Sequence, residues 1–314
     1  MSEPATELAT PRISFVVATD TLATVADVLA SLRAQPDPEG IEVVLACPAA
    51  AALGEGEPPP GPLRIVEVEA LAPIERAFAA GIRVATAPVV LIGETHAFPE
   101  PGALEPLIRA ICDEGYAAVA PGLRNANPET AASWASLMVT YGWTLGSDRR
   151  EAHQLSTHNT AYRRDLLVSF GDELPALLRL GGGIHHRLRA QGERLLVEPA
   201  SVFAHQNVVQ FRSCIGDRFY AARSYSASRS ESWSLARRAL YAIAAPLIPL
   251  VIAARVVRSP GWKAHRSELP RTVYLPMALS LAAHGAGELA AYAAGVGNSP
   301  ERIIEYEIHR ARHL

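Results

Sequence analysis

Residues 85–96 read Ala85-Thr86-Ala87-Pro88-Val89-Val90-Leu91-Ile92-Gly93-Glu94-Thr95-His96. Four aliphatic residues in a row, with Pro88 before them and Gly93 after, describe a short strand buried on both faces. A carboxylate and an imidazole follow at once. Two residues apart in an extended segment, Glu94 and His96 point to the same side, which suits a hard divalent cation bridging phosphates. A helix-capping acid beside a surface histidine is the other reading of the same residues.

Outward from this strand the pattern repeats. Ile13–Ala18 (ISFVVA), Ile41–Cys47 (IEVVLAC) and Leu63–Val68 are apolar runs rich in β-branched residues and read as strands. Between the first two, Leu22, Val25, Val28, Leu29 and Leu32 recur at helical spacing, so residues 21–34 form an amphipathic helix. The Pro- and Gly-rich stretch 54–62 is a loop, and residues 73–85 and 104–114 are further helices. Strands alternating with helices predict parallel βαβ units that bind ligands outside the carboxyl ends of the strands. The turn after Gly93 lies at such an end.

Composition narrows the function. The chain has 314 residues, with 29 Lys+Arg against 32 Asp+Glu, which excludes a disordered acidic chain and a wholly basic nucleic-acid binder. The near balance hides an asymmetry: residues 210–314 carry 14 basic against 7 acidic residues, leaving 15 against 25 for residues 1–209. Cys47, Cys112 and Cys214 stand too far apart in sequence for a disulfide framework or a thiolate metal site. An acidic N-terminus without an apolar h-region predicts that the protein is not secreted. No Gly-x-Gly-x-x-Gly follows a strand, and neither a Gly-Lys-Ser/Thr loop nor a Gly-x-Ser-x-Gly elbow occurs, against dinucleotide, P-loop and α/β-hydrolase chemistry.

The order of blocks resembles family 2 glycosyltransferases. It runs from a helix closing on Ala79-Ala80-Gly81-Ile82 through the Ala85–His96 stretch to Pro99-Glu100-Pro101-Gly102. A second block is Thr157-His158-Asn159-Thr160-Ala161-Tyr162-Arg163-Arg164, and a third runs from Arg187–Gly192 through Leu195–Pro199 to Val202-Phe203-Ala204-His205. The resemblance covers residues 12–210 and implies a GT-A-like α/β fold, with a mixed, mainly parallel sheet flanked by helices. It also implies a nucleotide-sugar donor, with Glu94-Thr95-His96 at the turn that binds metal and diphosphate and His205 completing a site for Mg²⁺ or Mn²⁺. His158, Asn159, Tyr162 and Arg163 would line the acceptor side.

The chain departs from the family pattern at three places. After the second strand, where a nucleotide-binding Asp is expected, stands Cys47-Pro48-Ala49-Ala50, which leaves Asp20 after the first strand as the candidate for the base. An expected Arg-Asn is replaced by Phe78-Ala79, with Arg76 close by. The carboxylate pair expected about six residues before Arg187, needed to take the acceptor hydroxyl's proton, is replaced by Leu180-Gly181. His185, on one face with Gly181 if a helix begins there, and Glu173 are the candidate substitutes. A noncatalytic member that binds a glycan, a lipid or a partner enzyme is the alternative.

Beyond residue 210 lies Ala239–Ala254, 16 residues without a charge, and then the apolar stretch 273–297, which carries His284 and Glu288. Spanning needs about 20 apolar residues, and a hairpin would place Arg258, Lys263, Arg266 and Arg271 outside, against the positive-inside tendency. Both stretches are therefore expected to lie in an anionic membrane surface on its cytoplasmic side, a helical appendage packed on the domain being the other reading. The expected organisation is a disordered tail (1–11), a GT-A-like domain (12–210) and a basic, apolar helical region (211–314). The expected activity is sugar transfer to a lipid-linked or polysaccharide acceptor, with no nucleic-acid partner.

Overall fold

A computed structural model describes residues 10–146 and 148–314. Residues 1–9 of the expected tail lie outside the described residues. The chain begins β1 (Ile13–Ala18), α1 (Leu22–Arg33), β2 (Ile41–Cys47), β3 (Leu63–Glu67), α2 (Ile74–Val84), β4 (Val89–Ile92), β5 (Ala97–Pro99) and α3 (Leu104–Cys112). There follow β6 (Ala118–Asn125), α4 (Ala131–Tyr141), β7 (Arg150–Glu151), β8 (Thr160–Arg163), α5 (Arg164–Ser169), α6 (Leu174–Leu178), α7 (Ile184–Ala190) and β9 (Leu195–His205). Thereafter the described elements are helical: α8 (Phe211–Arg229), α9 (Leu235–Ala244), α10 (Ile248–Arg258), α11 (Pro260–His265), α12 (Tyr274–Ala294) and α13 (Ser299–Ile308), with short 3-10 turns between them.

The sheet runs β3-β2-β1-β4-β8-β6-β9-β5, with β7 on the flank of β9. Pairs β1–β2, β1–β4, β2–β3 and β6–β9 are parallel, and β8 runs antiparallel between β4 and β6. This is the mixed, mainly parallel α/β sheet flanked by helices that the sequence predicts. Alternation along β1 explains the layers. Ile13, Phe15 and Val17 pack with α1, α3 and α4 on one face, and Val16 and Ala18 pack with α2, α5, α6 and α7 on the other. Residues 195–205 make one long strand rather than two segments, with a register irregularity opposite Pro121 and Gly122.

One buried acid is structural. Glu42 on β2 receives Ser14 Oγ (2.5 Å), the Thr86 backbone N–H and hydroxyl (both 2.7 Å) and Arg64 Nε (2.5 Å). Burial works to raise its pKa, but these donors reverse that and keep it ionised. It ties β2 to the turn that feeds β4.

The two apolar C-terminal stretches part company. Helix α12 packs on α8 and α4 with Met277, Leu281, Ala291 and Tyr292 buried, so one face belongs to the protein interior, while Tyr274, Leu275 and Leu289 on the other are exposed. Its mid-helix charge is satisfied inside the protein: Glu288 meets His284 Nε2 (3.1 Å), the Tyr292 hydroxyl (2.5 Å) and Arg229 (3.2 Å). By contrast, the stretch Leu235–Arg258 is long and apolar enough to cross a membrane, and only 11% of its most apolar window is buried. Leu240, Ile243, Leu247 and Leu250 are all more than 60% exposed.

Candidate active site

The register of three strands assembles the site. In the antiparallel pair β4–β8, Ile92 faces Thr160, so the residues just before Thr160 meet those just after Ile92. The Asn159 N–H binds the Ile92 carbonyl (2.7 Å) and its side-chain Nδ2 reaches Glu94 Oε2 (2.6 Å). His158 Nδ1 lies 3.0 Å from Glu94 Oε1, which also accepts the Tyr141 hydroxyl (3.3 Å). On the other side, Ala97 pairs with His205 across β5–β9, which brings the late histidine next to His96. Gly93 permits the approach, since a Cβ there would lie 2.1 Å from the Phe15 ring.

Glu94, His96 and His205 are all buried and offer ligand atoms within 4.8 Å of one another. His205 donates from Nδ1 to Asn207 Oδ1 (3.0 Å), which leaves its Nε2 lone pair facing Glu94 Oε2 at 3.4 Å with no hydrogen-bond partner. Asn207 is held in turn by Asn125 and by its own contact with the His205 carbonyl. An imidazole with its far nitrogen fixed and its near lone pair unspent in a buried site is arranged as metal ligands are. His96 is set similarly: Nδ1 donates to the Glu307 carbonyl (3.2 Å), and Nε2 accepts from Arg310 (2.8 Å). The donor set fits a divalent ion. Glu94, His158 and Glu307 form a second cluster, in which His158 Nδ1 is already engaged with Glu94 (3.0 Å), so the first set is the better cage.

Electrostatics agree with that division. Burial works to raise the Glu94 carboxyl, and His96, His158 and His205 more than reverse it, holding it well below the usual carboxylate range. Burial and the neighbouring Arg310 push His96 down to about 3, so near neutrality the charged partner of Glu94 is His158. Burial opposes charge on His158 too, but Glu307 and Glu94 raise it to about 10.

The cluster opens on a cavity of about 1420 Å³ between the sheet domain and the C-terminal helices, walled by Glu75, Glu94, His158, His205, Asp217 and Arg310 among others. That exceeds the range usual for one small ligand and leaves room for a donor and an acceptor together.

Of the residues singled out in the sequence, Glu94, His96, His158, Asn159 and His205 come together. Others do not. Asp20 accepts the Thr24 hydroxyl (2.7 Å) and faces His309 (3.4 Å), while Arg76 is exposed away from the cavity. Strand alternation turns Tyr162 into the core, and Arg163 pairs with Asp165 (2.6 Å). The two expected proton acceptors miss the cavity as well. Gly183, at φ 89°, starts α7 only at Ile184, so Gly181 is not on that helix, and His185 turns inward to the Tyr162 hydroxyl (3.0 Å). Burial lowers His185 to about 4. Glu173 is exposed and paired with Arg187 (3.2 Å).

Glu75, Asp217 and Glu307 are among the cavity acids that were not read as site residues from the sequence. Glu307 arrives on α13 and Asp217 on α8, neither of which any local motif marks. Glu75 opens α2, and its carboxylate lies by the Leu180 backbone N–H, beside the very segment where the expected carboxylate pair is missing. Burial raises its pKa, and among the described residues it has no ion pair. Its place at the start of α2 could be read from the sequence, but its nearness to Leu180 comes only from the fold.

Residues 62–170, which span β3 to α5 and include Glu94, His96, His158 and Asn159, match the family described as Glycosyl transferase family 2. That segment, about a third of the chain, is what is similar to the family. No curated protein matches the chain in sequence. Among solved structures similar to this chain is S. aureus TarS 1–349 in complex with UDP, at 13% identity and a TM-score of 0.44, covering 90% of this chain and 92% of that one. Another is GalNAc-T7 with UDP, GalNAc and Mn²⁺, at 12% identity and a TM-score of 0.47, covering 62% of this chain and 43% of that one.

Proposed function

We propose that the protein is a glycosyltransferase that moves a sugar from a nucleotide-diphosphate donor to a hydroxyl of a lipid-linked or polysaccharide acceptor, with inversion, at the cytoplasmic surface of a membrane. The observation that carries the reading is the buried cluster of Glu94, His96 and His205, with its two unspent or exchangeable imidazole lone pairs, in the wall of a cavity large enough for two substrates. Two imidazoles beside one carboxylate suit Mn²⁺ better than the harder Mg²⁺. When bound there, the ion supplies positive charge to a departing diphosphate.

The chain's own residues do the rest. Asn159 and His158 fix the Glu94 carboxylate from one side, and Asn207 fixes His205 from the other. As the acceptor oxygen bonds to the anomeric carbon, its proton needs a base. Of the cavity acids, Glu94, Glu288 and Glu307 face histidines, Glu231 pairs with Arg179 and Glu151 with Arg194; among the described residues Asp217 and Glu75 have no ion pair, and of these two Glu75 stands by Leu180, where the family's carboxylate pair is expected. Glu75 is therefore assigned as the acceptor of that proton, in place of His185 and Glu173. The exposed α9–α10 face, flanked by Arg237, Arg238, Arg255 and Arg258, would lie on anionic headgroups and admit a lipid-linked acceptor from the side.

Incubation of the pure protein with a panel of nucleotide-diphosphate sugars and Mn²⁺ tests this directly. Nucleotide release in the presence of an acceptor is expected. Absence of any nucleotide binding with either Mn²⁺ or Mg²⁺ would sink the reading.

A further inference from the structure

Arg310 is the feature of the site that the cage of three ligands leaves unused. It lies just beyond α13, outside the segment that matches the family, yet is only 6% exposed and lines the cavity beside Glu94 and His205. A guanidinium so deeply placed ordinarily meets a carboxylate. Here the nearest, Glu307, is 4.0 Å away, Nη2 donates to a neutral imidazole nitrogen of His96 (2.8 Å), and Nε is buried with no partner at all. Nε and Nη2 form one edge of the guanidinium fork, the edge that receives two oxygens of a phosphate side by side.

The segment around Arg310 is not loosely placed. The Thr95 hydroxyl, at the centre of the Glu94-Thr95-His96 turn, donates to the carbonyls of Glu307 (2.9 Å) and Ile308 (3.1 Å). The backbone N–H groups of Val209 and Gln210 bind the His313 carbonyl, and Gln210 Nε2 binds the carbonyls of Arg312 and Leu314. The chain's end is thus stapled against the turn expected to hold the diphosphate, with one cation aimed inward.

We infer that Arg310 is an anion-binding residue of this site, and that its Nε–Nη2 edge clamps the diphosphate of the donor. The inference rests on the reading that the cavity takes a nucleotide-diphosphate sugar. It links the clamp to the cage: His96 Nε2 cannot serve a cation and accept from Arg310 at once, so loading of the cage frees Nη2 for the oxyanion.

Two opposite effects distinguish a clamp from a structural arginine. Mn²⁺ affinity is read by electron paramagnetic resonance, and anion affinity by calorimetric titration of the Mn²⁺-loaded protein with the 1:1 manganese–pyrophosphate complex. Arg310→Gln is expected to bind Mn²⁺ as tightly as wild type or more tightly, because a positive charge is gone and His96 is released. The same variant should bind manganese pyrophosphate at least about tenfold more weakly, the scale of a lost charge-assisted hydrogen-bond pair. Arg310→Lys, which keeps the charge without the fork, should fall between. Unchanged or tighter pyrophosphate binding in Arg310→Gln would make Arg310 a spectator or a plug and overturn the proposal. Loss of Mn²⁺ and pyrophosphate together would overturn it in favour of a structural role. Should Arg310→Gln not fold, Arg310→Lys decides, and wild-type affinity in that variant overturns the clamp. If wild type itself binds no manganese pyrophosphate, the donor reading fails before the variants are compared.

Discussion

Asn159 donates from Nδ2 to Glu94 Oε2 at 2.6 Å while its backbone sits at φ 56°, the one described non-glycine residue in the left-handed region. That conformation costs an ordinary L-residue about 1 kcal/mol or more, and asparagine is among the few that tolerate it. The strain has a use, because it lets a residue just outside β8 turn its amide back across the sheet to the carboxylate at the end of β4. Asn159→Gly keeps the backbone geometry and removes only the amide. It should leave the melting temperature within a few degrees of wild type while weakening Mn²⁺ binding several-fold. Asn159→Ala should lower both, with about 1–3 kcal/mol lost from stability by urea unfolding. Equal Mn²⁺ affinities in all three proteins would show that the amide does not position Glu94.

His158 gives the protein an alkaline limit. Its folded pKa of about 10 lies above the unfolded value, so between about 6.5 and 10 the folded state holds a proton that the unfolded state has lost. Stability from this group is complete below about pH 6.5 and declines as pH rises toward 10. His158→Gln should be less stable than wild type at pH 6.5, with a flatter decline above it. Parallel urea-midpoint profiles for the two proteins from pH 6.5 to 10 would contradict the assignment.

The acid limb has the opposite sign and another owner. Burial lowers His185 to about 4, so between about 4 and 6.5 the unfolded chain binds a proton that the folded one refuses, and stability falls as pH drops through that window. His185→Gln, whose amide oxygen can still receive the Tyr162 hydroxyl, should reduce this acid sensitivity while leaving sugar transfer intact. A collapse of turnover in that variant would instead return His185 to the chemistry.

How much of this was legible follows from where each residue gets its position. Ile13–Ala18, Ile41–Cys47 and Val89–Ile92 could be read because central strands are buried on both faces and leave unbroken apolar runs. Glu94 and His96 could be read because a strand end fixes them locally, and His205 because the block order of the family carried it. His185 went astray on one torsion: Gly183 delays the helix and turns the ring toward Tyr162. Glu307, Asp217 and Arg310 had no local signal, since only the packing of α8 and α13 on the sheet brings them to the cavity. Apolar composition alone could not separate α12 from α9–α10. The face of α12 that packs on α8 tolerates a mid-helix acid because Glu288 finds His284, Tyr292 and Arg229 there.

The exposed helices predict a membrane preference. Leu240, Ile243, Leu247 and Leu250 point outward with Arg237, Arg255 and Arg258 around them. Sedimentation with phosphatidylglycerol vesicles should carry the protein down at low salt, and phosphatidylcholine vesicles should carry much less. Each surface arginine contributes about 1 kcal/mol on anionic lipid, so reversing Arg237, Arg255 and Arg258 to Glu should lower the vesicle partition at least about a hundredfold. Ile243→Asp with Leu250→Asp should weaken it at any salt concentration. Partition indifferent to both sets would leave this face to a protein partner.

Glu75 carries the sharpest chemical prediction. Burial raises the pKa of the Glu75 carboxyl, which makes its carboxylate a stronger base than an exposed one, and its backbone neighbour at Leu180 holds it at the cavity. Glu75→Gln keeps shape and removes the base, so kcat should fall by about 10² or more while Mn²⁺ and nucleotide affinities stay within a few-fold of wild type. Glu173→Gln, in an exposed ion pair away from the cavity, should leave kcat unchanged and serves as the control. If Glu75→Gln turns over normally and Asp217→Asn does not, the proton goes to α8 instead. In that case the acceptor hydroxyl approaches from the side of the C-terminal helices, because Asp217 stands on that wall of the cavity and Glu75 on the wall formed by the sheet domain.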